Sequence, residues 1–152
     1  MERKSFADMH CSVAQCLEVV GDWWTLLIVR DAFRGVRRFD DFRAELGVAH
    51  NVLSDRLSRL TEAGVFERLR YQQRPDRYEY HLTQQGHDLW PVVMSLLFWG
   101  DRYLAPDGPP VIPLHRNCGG HLTPQLNCAD CGASLASRDV ELTPGPGAAP
   151  GK

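Results

Sequence analysis

Hydrophobic residues in the first part of the chain recur with a helical period. The apolar stripes in residues 12–33 predict two helices that are interrupted near Gly21. A short amphipathic helix is predicted next, because Phe39, Phe42 and Leu46 lie at helical spacing before a glycine. The pattern therefore predicts three successive helices, each with one face to bury.

A fourth helix is predicted from about His50 to Ala63. Leu53, Leu57 and Leu60 mark its buried face, because residues at these intervals lie on one side of a helix. Gly64 follows at the position where a helix end favours a left-handed residue. This segment comes after a short turn, so the third and fourth helices are expected to pack together.

The period then changes from helical to alternating. Residues 65–71 and 78–83 alternate apolar and polar side chains, which is typical of half-buried strands. The polar residues 72–77 lie between them. We therefore predict a two-stranded hairpin with a six-residue tip.

A long helix is predicted after the hairpin, from Thr83 as N-cap to about Leu104. Pro91 falls inside it and is expected to kink it, because proline removes a backbone donor. Apolar residues cover most of the circumference of this helix: Leu89, Val92, Val93, Leu96, Leu97, Trp99 and Tyr103. Such a helix has more surface to bury than one small domain can cover.

Composition indicates one domain with a small appendage. We expect a helical and hairpin domain in residues 1–104, a linker in 105–114, a cysteine-rich segment in 115–142 and a disordered tail in 143–152, which is rich in proline and glycine. The expected fold class is mainly α (α+β).

Charge, apolar content and cysteine count restrict where the protein is expected to be and what it is expected to bind. The net charge of the 152 residues is −2, so there is no uniform basic field, and no apolar run approaches the roughly 18 residues of a membrane span. The five cysteines are an odd number, which argues against a secreted disulfide framework. A cytoplasmic protein that does not enter a membrane is expected.

Helix, turn, helix and two-stranded ribbon, in that order, indicate a winged helix-turn-helix, whose second helix enters the major groove of DNA. The polar side of the helix from His50 can donate to and accept from base edges. Arginines on the hairpin tip and before the short helix are expected to bind phosphates. The predicted DNA-binding residues are His50, Asn51, Ser54, Asp55, Ser58, Arg59, Arg74, Arg77, Arg37 and Arg38.

The chain resembles the HxlR-type winged-helix regulators, which are MarR-like, from about Cys11 to Gly100. The segments that carry the resemblance are "CSVAQCLEVVGDWWTLLIVRDAFRGVRRFDDFRAEL", "VLSDRLSRLTEAGVFERLRY" and "RPDRYEYHLTQQGHDLWPVVMSLLFWG". The resemblance implies a homodimeric, sequence-specific transcriptional regulator, expected to be a repressor, that dimerises through its N-terminal and long helices. A small molecule or an oxidant is the expected effector.

The chain departs from the family where the recognition helix begins. Members commonly have Ser-Pro-Lys there, whereas this chain has Ala49, His50 and Asn51. The missing serine is expected to weaken the N-cap by roughly 1 kcal/mol. The missing lysine means that no known operator can be transferred to this chain.

Cys11 is a candidate redox site, since some members of the family use the matching cysteine as an oxidation sensor. It precedes a predicted helix, where exposed N–H groups favour the thiolate. The alternative is that Cys11 is a small apolar filler. Cys16 lies five residues further on and is directed to another side of the helix, so an intrahelical disulfide is not expected.

The segments "HRNCG" and "CADCG" each contain a ligand, two residues, a cysteine and a glycine. Two such turns are typical of zinc knuckles, and three thiolates with one imidazole would form a closed, structural site. The predicted zinc ligands are His115, Cys118, Cys128 and Cys131. His121 is the competitor for the place of His115.

No motif in the chain indicates an enzyme. Zinc deaminases need an H-x-E glutamate, and neither His115 nor His121 is followed by one. No nucleophile elbow or phosphate-binding loop is present, so no catalytic residue is predicted. The alternative to a DNA-binding regulator is a protein-interaction and dimerisation module that binds a partner through the zinc segment.

Overall fold

The structure is a computed structural model that describes residues 4–148. Two compact units are separated between Val93 and Met94. The first unit contains α1 (Ser12–Val20), α2 (Trp23–Phe33), α3 (Phe39–Leu46), α4 (His50–Glu62), β1 (Phe66–Gln73), β2 (Asp76–Leu82) and α5 (Gln84–His87). Helix α6 (Trp90–Leu104) begins at the boundary, and the second unit also contains β3 (Leu126–Asn127), β4 (Ser134–Leu135) and a 3-10 turn (Ser137–Asp139).

The core of the first unit lies between α2, α3, α4 and the start of β1. Leu53, Leu57 and Leu60 are buried, as the helical spacing predicts. The rings of Phe42 and Phe66 meet edge to face with centroids 6.3 Å apart. Burial of each such side chain contributes about 1.5–3 kcal/mol, so this cluster fixes α4 on α3.

The connections around α4 are short and depend on glycine at two places. Gly47 ends α3 with a φ of 62°, a left-handed conformation that residues with a Cβ rarely adopt. Gly86 lets α5 pack against the residue that precedes β1, because a Cβ at this position would lie 2.3 Å from the carbonyl oxygen of Val65. Gly47 is thus required by backbone conformation, and Gly86 by the close approach of α5 to Val65.

The hairpin differs from its prediction in length and in burial. β1 and β2 pair in antiparallel register from Phe66 with Leu82 to Gln73 with Asp76, which leaves only Arg74 and Pro75 at the tip. The six-residue tip was therefore wrong, because polar side chains continue the pairing where both strand faces are solvated. The expected half-buried alternation was also wrong, since Phe66 is the one residue of β1 that is buried.

The predicted long helix is two helices. Thr83 caps the short α5, as expected, and its hydroxyl accepts from the N–H of Gly86 at 3.2 Å. The helix stops at Asp88, and α6 restarts at Trp90 with Pro91 in its first turn, so Pro91 does not kink a continuous helix. A first turn tolerates proline because its N–H groups have no intrahelical partner.

The cysteine-rich part of the second unit consists of two small hairpins. Leu114 and His121 form one antiparallel bridge, and β3 pairs with β4 to form the other hairpin. Residues 143–148 contain a single turn and no helix or strand, while 149–152 of the predicted tail lie outside the described residues.

Among residues 4–148, no single helix has both the length and the apolar content to span a membrane. Only when α1 and α2 are taken together are the length and the apolar content sufficient, and the two helices are bent by 78° at the break between them.

Candidate nucleic-acid interface

Helix α4 presents one polar and one buried side, as its sequence predicts. Leu53, Leu57 and Leu60 lie in the core, and the opposite face is open to solvent. The exposed residues on that face are His50, Asn51, Ser54, Asp55, Ser58 and Arg59. The reading strip, as we call these six residues, is therefore accessible along α4.

The first turn of α4 lacks a side-chain cap. Ala49 occupies the N-cap position with extended backbone and no side-chain hydrogen bond to the helix. The imidazole of His50 packs against Phe39, with ring centroids 4.7 Å apart. Its ring thus has one face occupied by a neighbouring helix, while its residue remains exposed overall.

Asp22 connects the start of α2 to the middle of α4. Its carboxylate accepts from the N–H of Trp24 at 3.0 Å, which caps α2, and from Arg56 Nη2 at 3.0 Å. Burial raises the pKa of Asp22, but the hydrogen bond and charge of Arg56, with the N–H groups of Trp24 and Thr25, outweigh it and hold the pKa below its ordinary value. Arg56 is thereby held on the inner side of α4.

Asp55 neutralises part of the reading strip. Its carboxylate forms an ion pair with Arg56 and another with Arg59, whose Nε lies 3.0 Å away. The Arg59 pair joins residues one helical turn apart, a spacing that contributes only a few tenths of a kcal/mol. Arg59 can therefore leave Asp55 for a base or a phosphate at little cost.

The arginines of the wing divide into two groups. Arg68 stacks on Tyr78 at 4.0 Å from the ring centre, and Arg70 lies 3.5 Å from Asp76. Arg74 and Arg77 are exposed and have no ion-pair partner among residues 4–148. The positive charge that remains available on the wing is concentrated on these two residues at or next to the tip.

Arg37 and Arg38 have protein partners. Arg37 Nη1 donates to the carbonyl oxygens of Ala32 at 2.7 Å and Val36 at 3.0 Å. Arg38 forms an ion pair with Glu79 of β2 at 3.2 Å and lies over the ring of Tyr71. The Arg37 side chain thus binds the segment between α2 and α3, and the Arg38 side chain binds the wing, so a phosphate would have to compete with these contacts.

The segment before α3 also pairs with the wing through its backbone. The N–H of Tyr80 donates to the carbonyl oxygen of Arg37 at 2.7 Å, and Arg38 forms a bridge with Glu79. Hydrogen bonds from His81 and Arg38 hold the pKa of Glu79 below its ordinary value. The wing is thus attached to the helices along β2, which fixes its direction relative to α4.

The predicted zinc ligands are arranged as two pairs. His115 Nδ1 lies 3.1 Å from Cys118 Sγ, and Cys128 is hydrogen-bonded to Cys131. Backbone N–H groups of Cys131 and Asp130, with the Cys131 thiol, lower the pKa of the Cys128 thiol. Within residues 4–148, no group of three or more His, Cys, Asp or Glu side chains is placed to hold a metal ion, so the two pairs stand apart.

Cys11 and Cys16 are both exposed, and neither is in a disulfide. Cys11 is the N-cap residue of α1 and makes no capping hydrogen bond through its sulfur. In the single chain Cys11 therefore does not fill the core of the first unit. A redox role for Cys11 stays a prediction.

The sequence predicted the polar side of α4 and the wing arginines Arg74 and Arg77, which are exposed, but it made the wing tip too wide and missed the Asp22–Arg56 contact. Arg56 is not among the predicted DNA-binding residues, and its partner lies 34 positions earlier in the chain. A signal was present: aspartate immediately before a helical segment is a preferred N-cap, and Asp22 precedes α2. No comparable signal in the sequence indicates that Arg37 and Arg38 contact other groups of the protein.

Helix α4 follows α3 after a short turn, buries one side, exposes a polar strip on the other and is followed by a two-stranded wing. This arrangement defines the winged helix-turn-helix class. Residues 19–108 match the family model described as HxlR-like helix-turn-helix. The chain belongs to this family of helix-turn-helix transcriptional regulators.

Similar proteins extend the match beyond the family model. The HTH-type transcriptional regulator Rv3095 of Mycobacterium tuberculosis (strain ATCC 25618 / H37Rv) is 47% identical over 137 residues, covering 90% of this chain and 87% of that protein. The crystal structure of PA1607, named as a transcription factor, superimposes with a TM-score of 0.83 and 37% identity over 92% of this chain and 99% of that one. The reduced redox regulator HypR has a TM-score of 0.57 and 30% identity over 60% of this chain and 92% of its own.

Proposed function

We propose that the protein is a sequence-specific, DNA-binding transcriptional regulator that acts as a homodimer in the cytoplasm. The observation that carries this proposal is the reading strip on α4, which is exposed while the leucines on the other side of the helix are buried. Short polar groups and one guanidinium on an accessible helix can bind base edges in the major groove. Family membership supports the same function.

The wing supplies phosphate contacts in this proposal. Arg74 and Arg77 carry the available charge next to the hairpin tip, and the pairing of β2 with the segment before α3 holds the wing in place. Phosphate contacts from arginine release counterions, which makes affinity depend on salt. The wing therefore contributes affinity, and α4 contributes sequence preference.

A second copy of the chain would cover the exposed apolar stripe of α6. Leu96, Trp99 and Tyr103 lie at helical spacing and are 52%, 57% and 61% exposed. The rings of Trp99 and Tyr103 contact each other at 5.4 Å between centroids. Large exposed apolar stripes of this kind mark association surfaces, and a two-fold dimer would present two α4 helices to two half-sites about one helical turn apart.

Dimerisation is tested by sedimentation of the wild type and of Leu96→Glu, with Gln125→Glu as a control that adds the same charge elsewhere. The dimer is expected for the wild type and for the control, and a monomer for Leu96→Glu. Sedimentation of the wild type as a monomer at micromolar concentration would contradict the homodimer.

DNA binding is tested by selecting duplexes from a random pool with the full-length protein and then measuring the affinity of the selected and of unrelated duplexes. We expect one enriched motif with two related half-sites, bound at least 10³-fold more tightly than unrelated sequence. Absence of enrichment, with no duplex bound at low salt, would favour the alternative of an interaction module that uses the cysteine-rich segment.

We further propose repression as the direction of regulation and an oxidant or small molecule as the effector. Cys11 is the candidate for oxidation because it is exposed at the N-terminus of α1. The similar protein HypR is named as a redox regulator. Peroxide treatment of the wild type and of Cys11→Ser, followed by DNA titration, tests this: only the wild type is expected to change affinity.

A further inference from the structure

The two cysteine hairpins repeat the same backbone geometry at an offset of thirteen positions. In the first hairpin the N–H of His115 donates to the oxygen of Gly120 at 2.8 Å, and the N–H of Gly119 donates to His115 at 2.7 Å. In the second hairpin the N–H of Cys128 donates to the carbonyl oxygen of Ala133 at 2.8 Å, and the N–H of Gly132 donates to the carbonyl oxygen of Cys128 at 2.9 Å. Both of these backbone hydrogen bonds in one turn therefore have their equivalents in the other.

The repeat includes the flanking strand pairs and the glycines. The bridge between Leu114 and His121 has its equivalent in the pairing of Asn127 with Ser134. Gly119 and Gly132 have φ values of 69° and 74°, and each directly follows a cysteine. A left-handed glycine after the second ligand lets a short turn fold back around the sulfur.

Each tip carries two metal-ligand side chains that already contact each other. His115 Nδ1 lies 3.1 Å from Cys118 Sγ, and the Cys131 thiol is hydrogen-bonded to Cys128. Backbone N–H groups also point at the sulfurs: Gly120 donates to Cys118 Sγ at 3.4 Å, and Asp130 and Cys131 donate to Cys128. Such N–H groups offset the negative charge that thiolates bring to a metal.

We propose that His115, Cys118, Cys128 and Cys131 bind one Zn²⁺ ion between the two hairpin tips. Two bidentate tips supply four ligands, the number that a tetrahedral structural zinc site takes, and soft thiolates select zinc over magnesium or calcium. Binding releases three thiol protons, so the filled site of one Zn²⁺, three thiolates and a neutral imidazole has a charge of −1.

The repeat also assigns the fourth ligand. His115 is the equivalent of Cys128, and both open their turn and accept its hydrogen bond. His121 is the equivalent of Ser134, which lies in a strand pair beyond the turn. His115 is therefore the ligand, and His121 belongs to the supporting strand.

Assembly of the site requires the two tips to come together. The structure holds each pair intact, yet no three of the ligands are grouped among residues 4–148. Metal sites of this kind couple binding to local folding, because the ligands repel or remain protonated until the ion arrives. The hairpins thus act as two preformed half-sites that one ion closes.

Cobalt titration of the reduced, metal-free, full-length protein tests the proposal. Co²⁺ is expected to give the visible d–d bands of a tetrahedral site and a thiolate-to-cobalt charge-transfer band, both saturating at one equivalent per chain. One equivalent of Zn²⁺ should abolish both bands. Absence of a tetrahedral spectrum, or saturation at half an equivalent, would overturn the single-chain site.

Matched variants test the ligand set. Cys118→Ser and Cys131→Ser are expected to lose the charge-transfer intensity, and His115→Ala to weaken cobalt binding at least tenfold. Cys16→Ser and His121→Ala are the controls and should titrate like the wild type. Full cobalt spectra in Cys118→Ser, or loss in His121→Ala with retention in His115→Ala, would show that the assignment is wrong.

Circular dichroism of each variant checks that the helices remain folded, so that a lost spectrum is not read from an unfolded chain. The cobalt measurement needs no DNA. A failure of the proposed regulatory function would therefore leave the metal result unchanged, and the reverse also holds.

Discussion

Arg56 of α4 forms an ion pair with Asp22, the residue that caps α2: Nη2 donates to Oδ2 at 3.0 Å, and Nε lies 3.0 Å from Oδ1 without forming a hydrogen bond. The contact connects the middle of α4 to the start of a helix 34 positions earlier in the chain. Both side chains are mostly buried, at 23% and 18% exposure. The position of α4 thus depends on an ion pair as well as on its leucines.

Asp22→Asn is expected to destabilise the protein by about 1–3 kcal/mol, because it leaves the guanidinium of Arg56 with only the more exposed Asp55 as a charged partner, while asparagine still caps α2. The measurement is urea unfolding at pH 7. Asp107→Asn, at an exposed turn, is the control and should be neutral. An Asp22→Asn variant as stable as the wild type would show that the pair does not hold α4.

The contribution of Asp22 is expected to vanish in acid. Arg56 holds the folded-state pKa of Asp22 below the unfolded value of about 3.9, so the stabilisation is complete above that value and is lost as pH falls through the folded pKa. The difference in unfolding free energy between wild type and Asp22→Asn should be constant from about pH 5 to 7 and shrink below about pH 4. A difference that grows in acid would contradict the direction of the shift.

Ala49→Ser is expected to stabilise the protein by about 1 kcal/mol. Ala49 occupies the N-cap of α4 in extended conformation without a side-chain bond, and a serine hydroxyl can accept from an N–H of the first turn. Thermal unfolding measures the gain, and Ala44→Ser, on exposed α3, is the control that should not stabilise. An unchanged or lower midpoint for Ala49→Ser would mean that another group already satisfies this turn.

Arg59→Ala is expected to weaken binding to the selected duplex by about 1–3 kcal/mol and to relax preference at one position in each half-site. The reason is that Arg59 is exposed on the reading strip and has only Asp55 as an ion-pair partner among the described residues. Anisotropy titrations with single-base variants of the duplex measure the effect. If every duplex weakened equally, Arg59 would be a phosphate contact.

Much of the fold follows from local pattern, and the failures have physical causes. The bounds of α4 and the burial of Leu53, Leu57 and Leu60 were predicted, because the apolar residues of an amphipathic helix recur at helical spacing in the sequence. The wing tip was placed too wide, since solvated strands need no apolar alternation and the pairing continues through polar residues to Gln73 and Asp76. Pro91 does lie in this helical region, but the predicted kink was wrong. The break between α5 and α6, at Asp88 and Leu89, contains no glycine that would have marked it in the sequence.

The candidate site was predictable where it is local and unpredictable where it is tertiary. The reading strip follows from the helix alone. The division of the arginines does not, because Arg38 reaches Glu79 and Arg56 reaches Asp22 across long stretches of chain. A count of charges could not show that these arginines are paired and that Arg74 and Arg77 have no such partner among residues 4–148.

The salt dependence of binding to the selected duplex, for the wild type and for the double variant Arg74→Ala/Arg77→Ala, tests the DNA-binding surface most directly. Arg138→Ala, which removes an exposed arginine from the 3-10 turn, is the matched control. Affinity of the wild type should fall steeply between about 50 and 200 mM salt, and the double variant should bind all duplexes more weakly with a slope of log affinity against log salt reduced by about 2. Equal slopes for wild type and double variant, or wild-type binding that does not respond to salt, would contradict a wing that binds phosphates beside a base-reading α4.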